Sequence, residues 1–209
     1  MSATDITLPS DVSRCHQYNR SMGRWEPNAR GRLEQAALRL YVERGFEQTT
    51  VAEIATEAGL AERTFFRHFT DKREVLFAGS GALQELLVTH VAGSPDTTPP
   101  MQVIADALQA AGAMLQQRRE YARQRQEVIA GNPELQEREL LKLASLTAAL
   151  AGALRSRGVG DPAASLTAEA GIAVFKVAFE RWVNGSGRRT LPRLIRDCLS
   201  ELKAVTGAA

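Results

Sequence analysis

Within one short stretch the chain places Arg63, Thr64, Phe66, Arg67, His68 and Lys72. These side chains can hold duplex DNA. An arginine fork matches guanine O6 and N7, and a threonine bonds a base edge or meets a thymine methyl. Arg63, Thr64 and Arg67 are therefore the candidates for base-edge contact. His68, Lys72 and the upstream Thr50 are candidates for phosphate anchoring, which fixes register without reading sequence. Phe66 offers van der Waals or stacking contact. Taken singly, each residue reads better as part of a solvated helix face. The spacing favours DNA: Phe65 and Phe69 stand four residues apart, so one helical face buries them and turns the others outward.

Catalytic chemistry has little footing in the sequence. The three histidines, His16, His68 and His90, lie far apart and show no metal-ligand spacing. No Glu-x-x-His pair, phosphate-binding P-loop, dinucleotide glycine fingerprint or nucleophile elbow is present. No enzyme activity, cofactor or metal is expected.

The elements that position the DNA candidates are legible in TTVAEIATEAGLAERTFFRHFTDK, Thr49 to Lys72. Thr50 and Glu53 have capping-box spacing. Val51, Ile54, Ala55 and Ala58 then share a helical face. Gly59 can adopt positive φ without a Cβ penalty, so the helix stops and the chain turns there. Glu62 to Phe69 forms a second short helix. A braced helix, a glycine-bearing turn and a second helix free to enter a major groove make a helix-turn-helix.

The same residues carry a family resemblance. Thr49-Thr50, Ile54-Ala55, Ala58-Gly59-Leu60, Thr64 to Phe69 and Asp71-Lys72 resemble the DNA-binding domain of the TetR family of bacterial transcriptional repressors, over roughly residues 28–76. The resemblance implies that Thr50, Thr64, Phe66, Arg67, His68 and Lys72 occupy positions that touch DNA. Two departures stand out. Ala61 replaces the usual polar cap of the second helix. Phe66 replaces a tyrosine, which removes one hydroxyl that would bond phosphate.

Composition bounds the rest. The chain has 209 residues, 44% of them hydrophobic, which is ample for one large domain or two small ones. With 26 Lys+Arg against 24 Asp+Glu the net charge is +2, so a DNA surface must arise from local clustering. Two cysteines near opposite ends, Cys15 and Cys198, suit a reducing compartment. No signal peptide is legible, and no run is read as reaching the ~20 apolar residues that span a bilayer. A cytoplasmic protein without a membrane partner is expected.

In chain order, residues 1–26 read as a flexible arm, either a plain solvated tail or a basic segment that touches DNA. Residues 27–72 read as the helix-turn-helix domain. Pro27 stands near a first helix with Leu33, Ala36, Ala37, Leu40 and Tyr41 at helical spacing, ended by Gly45. Arg30 and Arg32 near its start could meet phosphate or water equally. Asp71 caps a further helix that runs to about Val91, with a bend at Gly79 and Gly81. GSPDTTPP, residues 93–100, is the clearest break. Residues 73–209 otherwise read as helices: 101–117, 118–130, 134–157, 163–183 and 190–205.

The fold class is all-α, a three-helix DNA-binding head followed by a helical ligand-binding and dimerisation bundle. The last two helices read as apolar over more than one face, which suggests burial by a partner as well as by the chain itself. The family resemblance implies a homodimer through those two helices. It also implies a bundle cavity for a small-molecule effector. Candidate lining residues are Met114, Leu115, Tyr121, Val128, Ile129, Phe175, Phe179 and Trp182, each of which a plain packed core explains as well. Arg118, Arg119, Arg123 and Arg125 form a basic run. It is either a solvated face or the seat of an anionic head, as in an acyl-CoA-like effector.

A repressor released from a palindromic operator by its effector is the first expectation. A helical enzyme or carrier with a vestigial DNA-binding domain is the alternative. A constitutive DNA-binding protein without an effector is a third reading.

Overall fold

The first helix, α1 (Ala29–Arg44), starts behind Asn28, whose side chain accepts the Gly31 N–H at 3.1 Å. The computed structural model describes residues 28–207; the expected arm over residues 1–26 lies outside them. Gly45, at φ 91°, ends α1 and returns its N–H to the Tyr41 carbonyl. Phe46 folds back edge-on to the Tyr41 ring, with centroids 5.1 Å apart.

Helices α2 (Val51–Glu57) and α3 (Glu62–His68) complete the head. The capping box read from Thr50 and Glu53 forms in full. Leu33, Ala37, Ile54, Phe65 and Phe69 meet in one core because each lies on the inward stripe of its own helix. Arg39–Glu57 and Arg44–Glu53, both at 3.1 Å, tie α1 to α2.

Asp71 caps the next segment through its Oδ1, which accepts the Arg73 and Glu74 amides at 2.8 and 3.1 Å. The expected single helix is two elements. A 3₁₀ turn, Glu74–Phe77, precedes α4 (Ser80–Gly93), and Ala78 and Gly79, both with right-handed helical φ and ψ, join them. Val75, Leu76 and Phe77 pack into the head core. One sequence expectation is corrected here. Residues Glu74–Gly93, 20 in all, are by length and composition apolar enough to cross a membrane. Only 28% of that window is buried, with Leu87 and Val91 entering the body core.

The body is built from α4, α5 (Pro100–Gln116), α6 (Arg119–Ala130), α7 (Pro133–Ser156), α8 (Ala163–Asn184) and α9 (Leu191–Val205). Among the described residues no strand is present. The core is apolar throughout, with Ile104, Leu108, Leu150, Leu154, Trp182 and Leu191 fully buried. Two arginines tie down helix ends by donating to carbonyls there and in the residues just beyond. Arg157 donates to the Val91, Ser94 and Pro95 carbonyls at the end of α4. Arg119 donates to the Trp182, Val183 and Gly185 carbonyls at the end of α8.

A second correction concerns the last two helices. Helix α9 is apolar on one face only: Leu191, Leu194, Ile195, Cys198 and Leu199 are buried, while Arg193, Arg196, Ser200, Glu201 and Lys203 are exposed. Its buried apolar residues pack against α5 and α8 of the same chain, while Val205 at its end is 77% exposed. Helix α8 does keep apolar groups outside. Leu166 is 65% exposed and Val177 50%, with Ala173 exposed between them.

Candidate nucleic-acid interface and effector region

The turn between α2 and α3 has a Schellman-type closure. The Leu60 amide donates to the Ala55 carbonyl at 2.8 Å and the Gly59 amide to the Thr56 carbonyl at 2.9 Å. Gly59 sits at φ +65°, where a side chain is strained. Arg32 reaches across from α1 and donates to the Ala58 and Gly59 carbonyls. Arg30 donates to the Ala78 carbonyl at 2.7 Å and stacks over the Phe69 ring. Both arginines therefore brace the head.

This frame presents α3 with Phe65 buried beneath it. Arg63, Phe66 and Arg67 are exposed and Thr64 is half-buried. Phe66 leaves 54% of its surface in solvent, a large apolar group held where only a partner would cover it. Among the described residues, Arg63 and Arg67 make no hydrogen bond or ion pair, whereas nearly every other described arginine is engaged.

Three candidates sit differently from the sequence reading. The Lys72 ammonium turns inward and donates to the Phe46, Glu47 and Thr49 carbonyls at 2.8, 3.2 and 3.1 Å. It also lies 4.4 Å from the Phe46 ring centre. All three of its donors are spent within the head, because the loop between α1 and α2 turns three carbonyls towards the ammonium. Thr50 gives its hydroxyl proton to Glu53 and accepts the Glu53 amide. His68 has its Nε2 buried without a hydrogen-bond partner. Burial, with Arg67 and Arg30 adding repulsion, holds the imidazole below its ordinary pKa.

Lys72→Met is therefore expected to lower the melting temperature of the head. The loss corresponds to about 1–3 kcal/mol, because three carbonyls lose a charged donor. The salt dependence of DNA binding should change by less than one phosphate's worth. Thermal denaturation and a salt titration of binding measure the two effects separately.

The effector candidates divide between two places. Leu115, Phe175, Phe179 and Trp182 belong to the body core, with the last three rings stacked in series at 5.8 and 5.6 Å. Met114 is 40% exposed. Tyr121, Val128 and Ile129 pack instead on the head core. Arg118 lies over the Tyr121 ring and pairs with Glu34 of α1. Arg125 donates to the Leu76 carbonyl at 2.6 Å, pairs with Glu139 at 2.8 Å, and lies over Phe77. So Arg118, Tyr121, Arg125 and Val128 lie at the seam between head and body.

Sequence reasoning missed the rest of that seam. Glu74 pairs with both Arg138 and Lys142 of α7, and Arg73 pairs with Glu134. These charges come together only when α7 crosses the 3₁₀ turn, some sixty positions away in sequence.

The basic run is committed as well. Arg119 closes α8, Arg123 pairs with Glu120 and Glu127, and Arg118 and Arg125 hold the seam. Each of the four therefore has partners within the chain, with Arg118 and Arg123 still partly exposed. Among the described residues, no group of three or more His, Cys, Asp or Glu side chains could hold a metal ion.

Comparison with known proteins agrees with this architecture. The family model described as "Bacterial regulatory proteins, tetR family" matches residues 34–78, and the "MftR C-terminal domain" model matches residues 98–207. The HTH-type transcriptional regulator TcmR of Streptomyces glaucescens is 36% identical over 81 residues, which cover 39% of this chain and 36% of TcmR. The chain thus aligns with about a third of that relative.

Solved structures share the fold over most of the chain. FadR of Bacillus subtilis in complex with stearoyl-CoA superimposes with a TM-score of 0.60 at 19% identity, over 82% of this chain and 96% of that one. A SmeT–triclosan complex gives 0.62 at 20% identity, over 85% and 90%.

Proposed function

Because the chain belongs to the TetR family of bacterial regulatory proteins, we propose that it is a ligand-responsive transcriptional repressor. In this reading it binds palindromic operator DNA in the cytoplasm as a homodimer and is released by a small-molecule effector. The observation that carries the DNA reading is the pair Arg63 and Arg67, left without partners on a helix whose other face is buried by Phe65. A guanidinium in water costs nothing, but two unpaired forks flanking an exposed Phe66 make a surface suited to a groove wall and its phosphates.

We assign base-edge contact to Arg63, Thr64 and Arg67, and backbone or sugar contact to Phe66. Thr50, His68 and Lys72 act from behind, by fixing the start of α2 and the seat of α3. We end the head at Phe77 and begin the body at α4, since the 3₁₀ turn packs with the head.

The test is direct. Arg67→Ala is expected to weaken binding to a palindrome selected from random DNA by about 1–3 kcal/mol, roughly 5- to 150-fold, and to relax base preference at one position. Wild-type affinity in both Arg67→Ala and Arg63→Ala would place the contact surface elsewhere.

The dimer contact is assigned to α8. Leu166, Ala170, Ala173 and Val177 recur at spacings of four, three and four, which keeps them on one stripe against a second helix. An isologous pairing of this stripe sets the separation of two heads.

Effector action follows from the seam. A ligand that prefers one setting of α6 and α7 shifts the heads with it, because Arg125, Arg138 and Lys142 tie those helices to Leu76 and Glu74. Its leverage equals its difference in affinity between the two settings. Related regulators solved with stearoyl-CoA and with triclosan favour an amphipathic effector with a large apolar part.

A further inference from the structure

With the basic run of α6 committed, the cations that remain free in the body lie elsewhere. Arg188, in the loop between α8 and α9, makes no hydrogen bond or ion pair among the described residues. Arg181 has only a long contact, 3.8 Å, to the Cys198 sulfur. Arg189 reaches Asp197 at 3.7 Å with 61% of its side chain still exposed. These three arginines line one cavity of about 220 Å³, together with Trp182, Ser186 and Leu194, and no carboxylate lines it.

Three like charges around one hollow repel, and only Asp197, outside the lining, reaches one of them, Arg189. One further feature points the same way. Trp182 lines this cavity, and its indole Nε1–H is buried with no acceptor. Buried donors of this kind are rare and are commonly matched by an ion or water. Helix α9, of 15 residues, begins beside the cavity, where the Gln116 side chain accepts its Leu191 amide at 2.8 Å and Pro192 has no N–H, so its start adds nothing to the site. Behind the loop, Arg119 is pinned by three carbonyls, which fixes the backbone of residues 182–185.

We infer that this cavity binds the oxyanion group of a small molecule, a phosphate or a carboxylate. Arg188 and Arg181 supply the forks and Ser186 a hydroxyl. The volume admits the charged group and a few attached atoms, not a long chain. The site rests on the effector reading only for what its occupancy does to DNA binding; occupancy itself stands on the geometry.

The experiment uses the full-length chain carrying Trp25→Phe, which leaves Trp182 as its single tryptophan. Inorganic phosphate and, separately, acetate are titrated at constant ionic strength made up with chloride. Trp182 emission and isothermal calorimetry are followed. A saturable response to phosphate, to acetate or to both is expected. Arg188→Ala should weaken it about tenfold, the loss of one charge-assisted hydrogen bond. Arg181→Ala should act similarly, and Lys203→Ala, remote on α9, should leave it unchanged.

A response to phosphate alone identifies a phosphate ester, and a response to acetate alone a carboxylate. No saturable response to either anion, or a response unaltered in both arginine variants, overturns the site. Binding of Arg188→Ala to the selected palindrome is measured alongside. It should match wild type, so failure of the anion site is distinguishable from failure of the DNA-binding reading.

Discussion

Gly59→Val is expected to unfold the DNA-binding head at temperatures where the wild type is intact. Two costs add. Gly59 sits at φ +65°, and a β-branched residue there is a severe backbone outlier. A Cβ at this position would also lie 2.8 Å from Arg32 Nη2, the group that donates to the Ala58 and Gly59 carbonyls. Strain and the displaced arginine together are worth about 3 kcal/mol or more, a large fraction of the stability of a small helical unit.

Two controls separate the terms. Gly59→Asn tolerates the left-handed region better and should cost less, although it still crowds Arg32. Arg32→Ala removes the brace without straining the turn. Circular dichroism melts of the three variants give the order Val worst, then Asn. A Gly59→Val melt that overlays the wild type would mean that the turn geometry is not what holds α2 and α3 together.

Val177→Glu is expected to convert the protein to a monomer and to reduce binding to a palindrome to its half-site level. Val177 is 50% exposed at the C-terminal end of the α8 stripe, so the substitution leaves the folded chain intact. Across an isologous interface, however, it places two carboxylates near each other in a desolvated layer. Losing the second head removes the effective-concentration gain, about a hundredfold or more in affinity.

Sedimentation equilibrium reads the association, and binding to full and half palindromes reads its consequence. The variant should retain the weak half-site affinity, because α3 is untouched. Arg196→Glu on the polar face of α9 is the matched comparison and should leave association unchanged. If Arg196→Glu dissociates the protein and Val177→Glu does not, the contact runs through α9 instead.

The two predictions probe opposite kinds of information. The turn at Gly59 is local: a capping threonine, an apolar stripe and a glycine act over a few positions, so their spacing alone defined the helix-turn-helix. The body helices were legible for the same reason, since Pro133, Gly131 and the 93–100 break stop helices wherever they occur. Arg63 and Arg67 could be placed outward because Phe65 and Phe69 had to face inward.

Long side chains were another matter. Lys72 has four methylenes of reach and three donors, and the carbonyls it found belong to a loop 23 to 26 positions earlier. Helix periodicity says which face a lysine leaves from, not what waits there. Arg118 to Arg125 read as a free basic run until α1, α7 and the end of α8 supplied its partners. Conversely, Arg188 gave no sequence signal: its lack of a partner is visible only once every neighbour is in place.

By itself, then, the sequence determined the helices, the turn and the outward set on α3, because propensity, capping and amphipathic spacing act within a few residues. Only the tertiary structure decided which charges are spent and which are free. It also gave Tyr121 and Val128 to the seam and left the α8 stripe, rather than α9, uncovered. Those outcomes depend on which helix packs against which, and pair energies between distant side chains cannot be assigned until the distances exist.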